Sequence, residues 1–342
     1  MVCARQQLRG PSPPRHRLML MRRPDLNLRG SRGGSGMFLS LGLGLVLIAC
    51  GCSVKRMAIN QLGNALAGSG TTFASDDDPE LVKGAVPFSL KLIESLLAES
   101  PRHEGLLLAA CSGFTQYGYA FVKQESDELE DKDLASSTAM RIRARRLFLR
   151  ARGYGLRALA VRSPGIEERL RSDPKGAVRS MEKRDVALLY WTAASWGAAI
   201  SVSKDDPALV SDQLVVEALI DRALELDETF DRGGIHSLLI SYEMVRQGGS
   251  GDRAERARRH FQRTVELTQG RAAAPYVSLA ESVALEKQDR AEFESLLKKA
   301  LAIDADAWPE IRLANLIAQR RARWLLERMD ELFLTAPKDN SK

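Results

Sequence analysis

Beyond residue 55 the apolar positions of almost every segment recur at helical rather than alternating spacing. Between Val215 and Leu226 they fall at Val215, Val216, Leu219, Ile220, Ala223, Leu224 and Leu226. Steps of one, three and four place them on one side of a helix that buries a stripe and solvates the rest. The same period runs through 81–97, 106–124, 140–161 and 188–202. No run alternates apolar and polar residues between Asn-Gly or Asp-Gly turns, so no sheet is expected. Several helix ends are also legible. Asp76-Asp77-Asp78-Pro79-Glu80 supplies a capping carboxylate, a proline for the first turn and an acid just inside it, which predicts a helix over 81–97. Asp205-Asp206-Pro207 predicts one over 208–226 in the same way. Pro101, Pro164, Pro174, Pro275 and Pro309 mark further breaks, and 126–138 and 247–252 read as polar loops.

One phrase returns. Arg222-Ala-Leu-Glu-Leu-Asp227, Arg263-Thr-Val-Glu-Leu-Thr268 and Lys299-Ala-Leu-Ala-Ile-Asp304 align, at separations of 263 − 222 = 41 and 299 − 263 = 36 residues. Such spacing is near the period of about 34 residues of a tetratricopeptide unit. The small second residue lets neighbouring helices approach, and the two Leu-type positions face the groove between them. The expected fold class is all-α: stacked antiparallel helical hairpins in a tetratricopeptide-like superhelix, over residues 76–334. Residues 335–342 read as a disordered tail.

The amino-terminal part is different. Residues 1–36 are rich in Arg, Pro, Gly and Ser, with no period that builds a core. An apolar run follows from Met37 to Ala49, 13 residues long. That is too short to span about 30 Å of hydrocarbon as a helix, and it suits the core of a signal peptide. The run ends in Leu47-Ile48-Ala49-Cys50, the pattern of a bacterial lipobox, so Cys50 is the expected lipidation site. Gly51-Cys52 offers a competing cysteine. Residues 1–49 are therefore expected to be leader and lipoprotein signal peptide, and 50–75 anchor and linker. Palmitate at Cys50 would tether the chain to a membrane facing the periplasm. No Asp follows Cys50, which makes the outer membrane the expected one.

Charge narrows the function classes. The chain carries 50 Lys and Arg against 44 Asp and Glu. Residues 1–49 hold eight Arg and one acid, a net of +7, so the rest holds 42 basic and 43 acidic residues, a net of −1. A body without a positive field does not suit nucleic acid. His103, His236 and His260 form no HExxH motif or Cys/His cluster, so no metal site is expected. No nucleophile elbow or phosphate loop occurs, so no enzyme and no cofactor are expected. The acids 76–78 lack calcium-loop spacing and read as a helix cap. Cys111 reads as a buried core residue.

The candidate binding residues lie where arginines crowd one helix. Arg143, Arg146, Arg150 and Arg157 are separated by three, four and seven residues and fall on one stripe. Beside a cleft, such a stripe would draw anionic ligands or line a pore. On a solvated face, balanced by the acids of 125–133, it would do little. Tyr117, Tyr119, Trp191 and Trp196 are the aromatic candidates for the same surface, with Tyr190 beside them.

Ordered segments also resemble a known family. They are Gly51-Cys-Ser-Val-Lys-Arg56 with Ala58-Ile-Asn60, Phe73-Ala-Ser-Asp-Asp-Asp-Pro-Glu-Leu-Val82, Pro87-Phe-Ser-Leu-Lys-Leu-Ile-Glu-Ser-Leu-Leu97 and Gly113-Phe-Thr-Gln-Tyr-Gly-Tyr-Ala-Phe-Val122. Leu189-Tyr-Trp-Thr-Ala-Ala-Ser-Trp-Gly197 and Arg312-Leu-Ala-Asn-Leu-Ile-Ala-Gln-Arg-Arg-Ala-Arg-Trp324 follow. Their order resembles the T component (TatT) of tripartite ATP-independent periplasmic (TRAP) transport systems. The resemblance implies a periplasmic lipoprotein of cryptic tetratricopeptide hairpins, a homotrimer that pairs with a TRAP substrate-binding protein to deliver an organic ligand. It also favours Cys52 over Cys50 as the anchor, and that choice stays open. The alternative is a general envelope-assembly lipoprotein whose repeats bind other proteins.

Overall fold

The structure is a computed structural model that describes residues 61–64 and 70–333, Gly248 excepted. The described residues all belong to one compact unit, 52–342. Among them every regular element is helical, as the spacing of apolar residues predicts.

The first helices are α1 (Gly70–Ala74), α2 (Pro79–Glu99) and α3 (Glu104–Tyr117). A π-helical turn, Gly118–Lys123, carries α3 into α4 (Gln124–Leu129). The longest helix, α5 (Leu134–Arg162), precedes the short α6 (Ile166–Ser172) and α7 (Pro174–Val178). Then come α8 (Val186–Ser201), α9 (Pro207–Val210), α10 (Gln213–Leu226) and α11 (Gly234–Tyr242). The carboxyl-terminal part holds α12 (Arg253–Leu267), α13 (Ala274–Leu279) with a π-helical turn at Ala280–Ala284, α14 (Arg290–Leu301), α15 (Arg312–Glu327) and α16 (Met329–Leu332). Neighbours in sequence pack as neighbours in space: α3 on α5, α5 on α8, α8 on α10, α11 on α12, α14 on α15.

The caps form where the sequence places them. Asp78 accepts from the backbone N–H groups of Glu80 and Leu81, each at 3.0 Å, with Pro79 as the first helical residue. The acidic triplet is thus a helix cap. Asp206 accepts from the N–H of Leu209 at 3.1 Å. The predicted helix over 208–226 is nevertheless broken at Ser211-Asp212, between α9 and α10, where the Asp212 carboxylate bonds Trp196. The predicted loop 126–138 shrinks to 130–133, because 126–129 end α4 and 134–138 begin α5. Buried Ser126 and Ser137 tie these two ends together, each hydroxyl donating to the other's carbonyl at 2.8 Å. Polar side chains that satisfy one another in this way look like loop residues in a sequence.

The three copies of the repeated phrase fall at the carboxyl ends of α10, α12 and α14, the third running three residues past its helix. The small residue of each, Ala223, Thr264 or Ala300, is buried. Two apolar clusters form the core, one from Val82 to Leu239 and one from Ile240 to Phe333, and they meet along α11. The middle of α5 crosses two helices at very short range. A Cβ on Gly155 would lie 2.4 Å from Thr192 Oγ1 of α8 and 3.1 Å from Cys111 Sγ of α3, so only glycine fits there. Cys111 is fully buried and burial pushes its thiol up to about 12, which leaves it an inert packing residue.

Candidate functional site

Helix α5 buries Ala144, Phe148, Ala151, Gly155, Ala158 and Leu159, and its arginines emerge along the edges of that face. Arg143, Arg146, Arg150 and Arg157 are exposed, as a stripe with their spacing on a half-buried helix should be. Three of the four rest on aromatic rings. The Arg143 guanidinium lies 5.8 Å from the centre of the Tyr117 ring and 3.4 Å from its hydroxyl. Arg150 lies 4.9 Å from the centre of Phe114, and Arg157 lies 5.3 Å from that of Tyr154. Phe114 and Tyr154 are themselves stacked, 6.0 Å apart and 11° from parallel. Cations and rings thus alternate across α3 and α5. A ring face attracts a guanidinium while leaving outward N–H groups free to donate.

One carboxylate enters this ladder. Glu94 of α2 accepts from Tyr154 Oη at 2.6 Å and Lys91 Nζ at 2.8 Å, and it pairs with Arg150. Burial alone would raise its pKa. The bonds from Lys91 and Tyr154 and the charge of Arg150 outweigh burial and hold it below the usual carboxylate value. Burial and then the bond to Glu94 raise the Tyr154 hydroxyl. Arg157 donates to the Pro101 carbonyl at 3.0 Å. Arg146 has no ion-pair partner among the described residues. The ladder therefore keeps a positive excess on its outer edge.

The aromatic candidates divide. Tyr117 joins the ladder under Arg143. Tyr119 is 49% exposed, but it sits on the π-helical turn with Lys123 5.8 Å from its ring centre. Trp196 is buried, donates its indole N–H to Asp212 at 3.1 Å and lies under Arg152 at 4.8 Å. Trp191 is half-buried and edge-on to Tyr190, with ring centres 4.9 Å apart. Five of the eight candidates gather on one strip, and Tyr119, Trp191 and Trp196 make their contacts elsewhere. Phe114, Tyr154 and Glu94 are the members that sequence reasoning missed. Tyr154 carries a readable signal: it follows Arg150 by four residues and precedes Arg157 by three, which puts it on the same helical stripe.

His103 caps α3 by accepting from the N–H of Leu106, and His236 and His260 bond one another. No group of three or more His, Cys, Asp or Glu is placed to hold a metal among the described residues. None of their helices is long and apolar enough to cross a membrane. Cys50 and Cys52 lie outside the described residues.

With this geometry in view, the relatives can be placed. The family model described as "TRAP transporter T-component" matches residues 75–333. The chain belongs to that family. The match begins just before α2 and ends with α16, so the T-component assignment takes in both apolar clusters and the arginine ladder. An uncharacterized protein of Treponema pallidum (strain Nichols) is 27% identical over 306 residues, covering 84% of this chain and 95% of its own length. Membership in the T-component family implies an accessory role in TRAP transport, and it associates the chain with the TRAP system of the cell envelope.

Proposed function

We propose that this T-component is a lipid-anchored periplasmic scaffold that docks a TRAP substrate-binding protein and helps hand over an organic ligand. The observation that carries the reading is the family match along 75–333. The buried small residues Ala223, Thr264 and Ala300 near the ends of three alternate helices, α10, α12 and α14, support a tetratricopeptide-like stack. Such a stack presents a long surface to a partner rather than a reaction centre. In this reading Cys50, or Cys52 beside it, carries the acyl chains, the chain sits on the outer membrane, and it works as a homotrimer. The ladder of Arg143, Arg146, Arg150 and Arg157 faces an anionic partner or ligand, with Tyr117 as its aromatic contact.

Affinity capture from solubilised membranes, with mass spectrometry of the partners, tests the proposal. A TRAP substrate-binding protein should co-purify. Capture of envelope-assembly proteins alone would replace it with a general scaffolding role. Charge reversal at Arg146 and Arg150 should weaken partner capture at low salt with little difference from the parent at high salt, because exposed charges are screened. Equal capture at both salts would reduce the ladder to a solvated face.

A further inference from the structure

Helix α12 buries only Ala254, Ala257 and Thr264. Phe261, half-buried, packs against the second apolar cluster and meets Tyr276 edge-on, with ring centres 5.2 Å apart. Much of the remaining hold on this helix is charged or titratable. Arg256 reaches Glu243 of α11, Arg258 reaches Glu292 of α14, Arg263 reaches Glu228 ahead of α11, and His260 meets His236. Left-handed turns bracket the helix: Gly251 before it has φ of 77°, and Gln269 and Gly270 after it have 53° and 70°. An element with little buried apolar surface, set between two turns, can open locally while the rest of a fold stays closed.

The two histidines sit at the joint. Helix α11 is where the apolar clusters meet, Leu239 belonging to the first and Ile240 to the second. The rings lie with centres 5.1 Å apart, and their Nδ1 atoms, 2.8 Å apart, share one proton. Arg246 of α11 and Arg259 and Arg263 of α12 act on the pair as cations. Glu228, 3.4 Å from His236 Nε2, and Glu243, 4.0 Å from His260 Nε2, oppose them. Both carboxylates are already engaged, Glu228 by Arg263 and Glu243 by Arg246 and Arg256. Other elements packed on α11 add little: Glu217 and Asp221 of α10 turn to Arg246, and Arg321 holds Glu281 of the second π-helical turn. Asp231 lies beside Arg232 in the turn before α11, and α13 carries only Tyr276. Burial and these cations lower both histidines, His260 to about 4. The closed contact therefore resists a second proton that free histidines accept from about pH 6.5 downward.

We propose that the His236–His260 contact is an acid-sensitive latch, whose second proton releases α12 from α11 while the helices of the first apolar cluster stay packed. The latch involves no transport partner, so it stands or falls separately from the docking role above. Hydrogen exchange with mass spectrometry on the purified mature protein, corrected for the intrinsic pH dependence of exchange, tests it. Between pH 7.5 and 5.5 the protection of 253–267 should fall about tenfold, the factor expected when a histidine moves from about 4 to about 6.5 on opening. Helices α8 and α10 should keep their protection over the same range. The double variant His236→Gln, His260→Gln takes up no such proton and should show the same α12 protection at both pH values, whatever its level. Unchanged protection of α12 in the parent, or a loss shared equally by α8 and α10, would overturn the latch. A fall of the same size in the double variant would assign it to other groups and overturn it too.

Discussion

His236 of α11 and His260 of α12 meet with their Nδ1 atoms 2.8 Å apart, so one nitrogen donates and the other accepts. A second proton at that contact would set two N–H groups against each other. Burial, and after it the charge of His236, lowers His260 to about 4. Burial also lowers His236, although Glu228, 3.4 Å from its Nε2, pulls the other way. Glu243, 4.0 Å from His260 Nε2, opposes the shift there, while Arg246 and Arg259 reinforce it. Both rings are therefore neutral in the folded protein at pH 7. The unfolded chain takes up protons near the ordinary histidine value of about 6.5, and folded His260 only near 4. The pair's contribution is thus complete above about pH 6.5 and is lost as pH falls from there toward 4, at no more than about 1.4 kcal/mol per pH unit per histidine. Urea midpoints between pH 7 and 4.5 should fall more steeply in the parent than in His260→Gln. Equal slopes would show that the pair does not govern acid stability.

At the scale of the element, α5 decides the arrangement. Gly155 brings it against Thr192 of α8 and Cys111 of α3, where a methyl group has no room. Gly155→Ala should therefore cost about 1–3 kcal/mol by overpacking, despite the better helix propensity of alanine. Gly153→Ala, two residues away with nothing within 4 Å of the new methyl, should be neutral or stabilising by up to about 1 kcal/mol. Paired urea melts decide between them. This helix also shows how far the sequence could be read. Its existence and the arginine stripe follow from a period of 3.6. Its true start at Leu134 does not, since the buried Ser126–Ser137 exchange mimics a polar loop. The rings under Arg150 and Arg157 were half legible. Tyr154 shares their stripe, whereas Phe114 comes from α3 and depends on a packing angle that no local pattern encodes.

At the scale of the described fold, the last long helix returns to the first ones. Arg312 of α15 donates to the Ser75 carbonyl at 3.2 Å, and Arg320 reaches Glu80 at 3.4 Å and Glu128 at 2.7 Å. Arg328 pairs with Asp131. Arg321, 8% exposed, lies 2.9 Å from Asp127 and 2.6 Å from Glu281, joining the segments that follow the first π-helical turn and form the second. Burial opposes its charge, and the two carboxylates together outweigh burial and raise its pKa. Beside these polar contacts, Leu313 and Ile317 of α15 pack against the first apolar cluster. Exposed pairs are worth about 0–1 kcal/mol each, so Arg320→Ala should shift stability by less than that and the shift should shrink in high salt. Arg321 is the exception. Its removal leaves Glu281 without its cation, while Asp127 keeps Lys123 at 2.7 Å. The loss should be roughly 1–3 kcal/mol, below the 3–5 kcal/mol of a fully buried pair because both carboxylates keep some solvent. Hydrogen exchange should then quicken in α4 and α15 together while α8 and α10 keep their protection. Uniform loss of protection along the chain, or none in α4, would mean that Arg321 does not join the two ends.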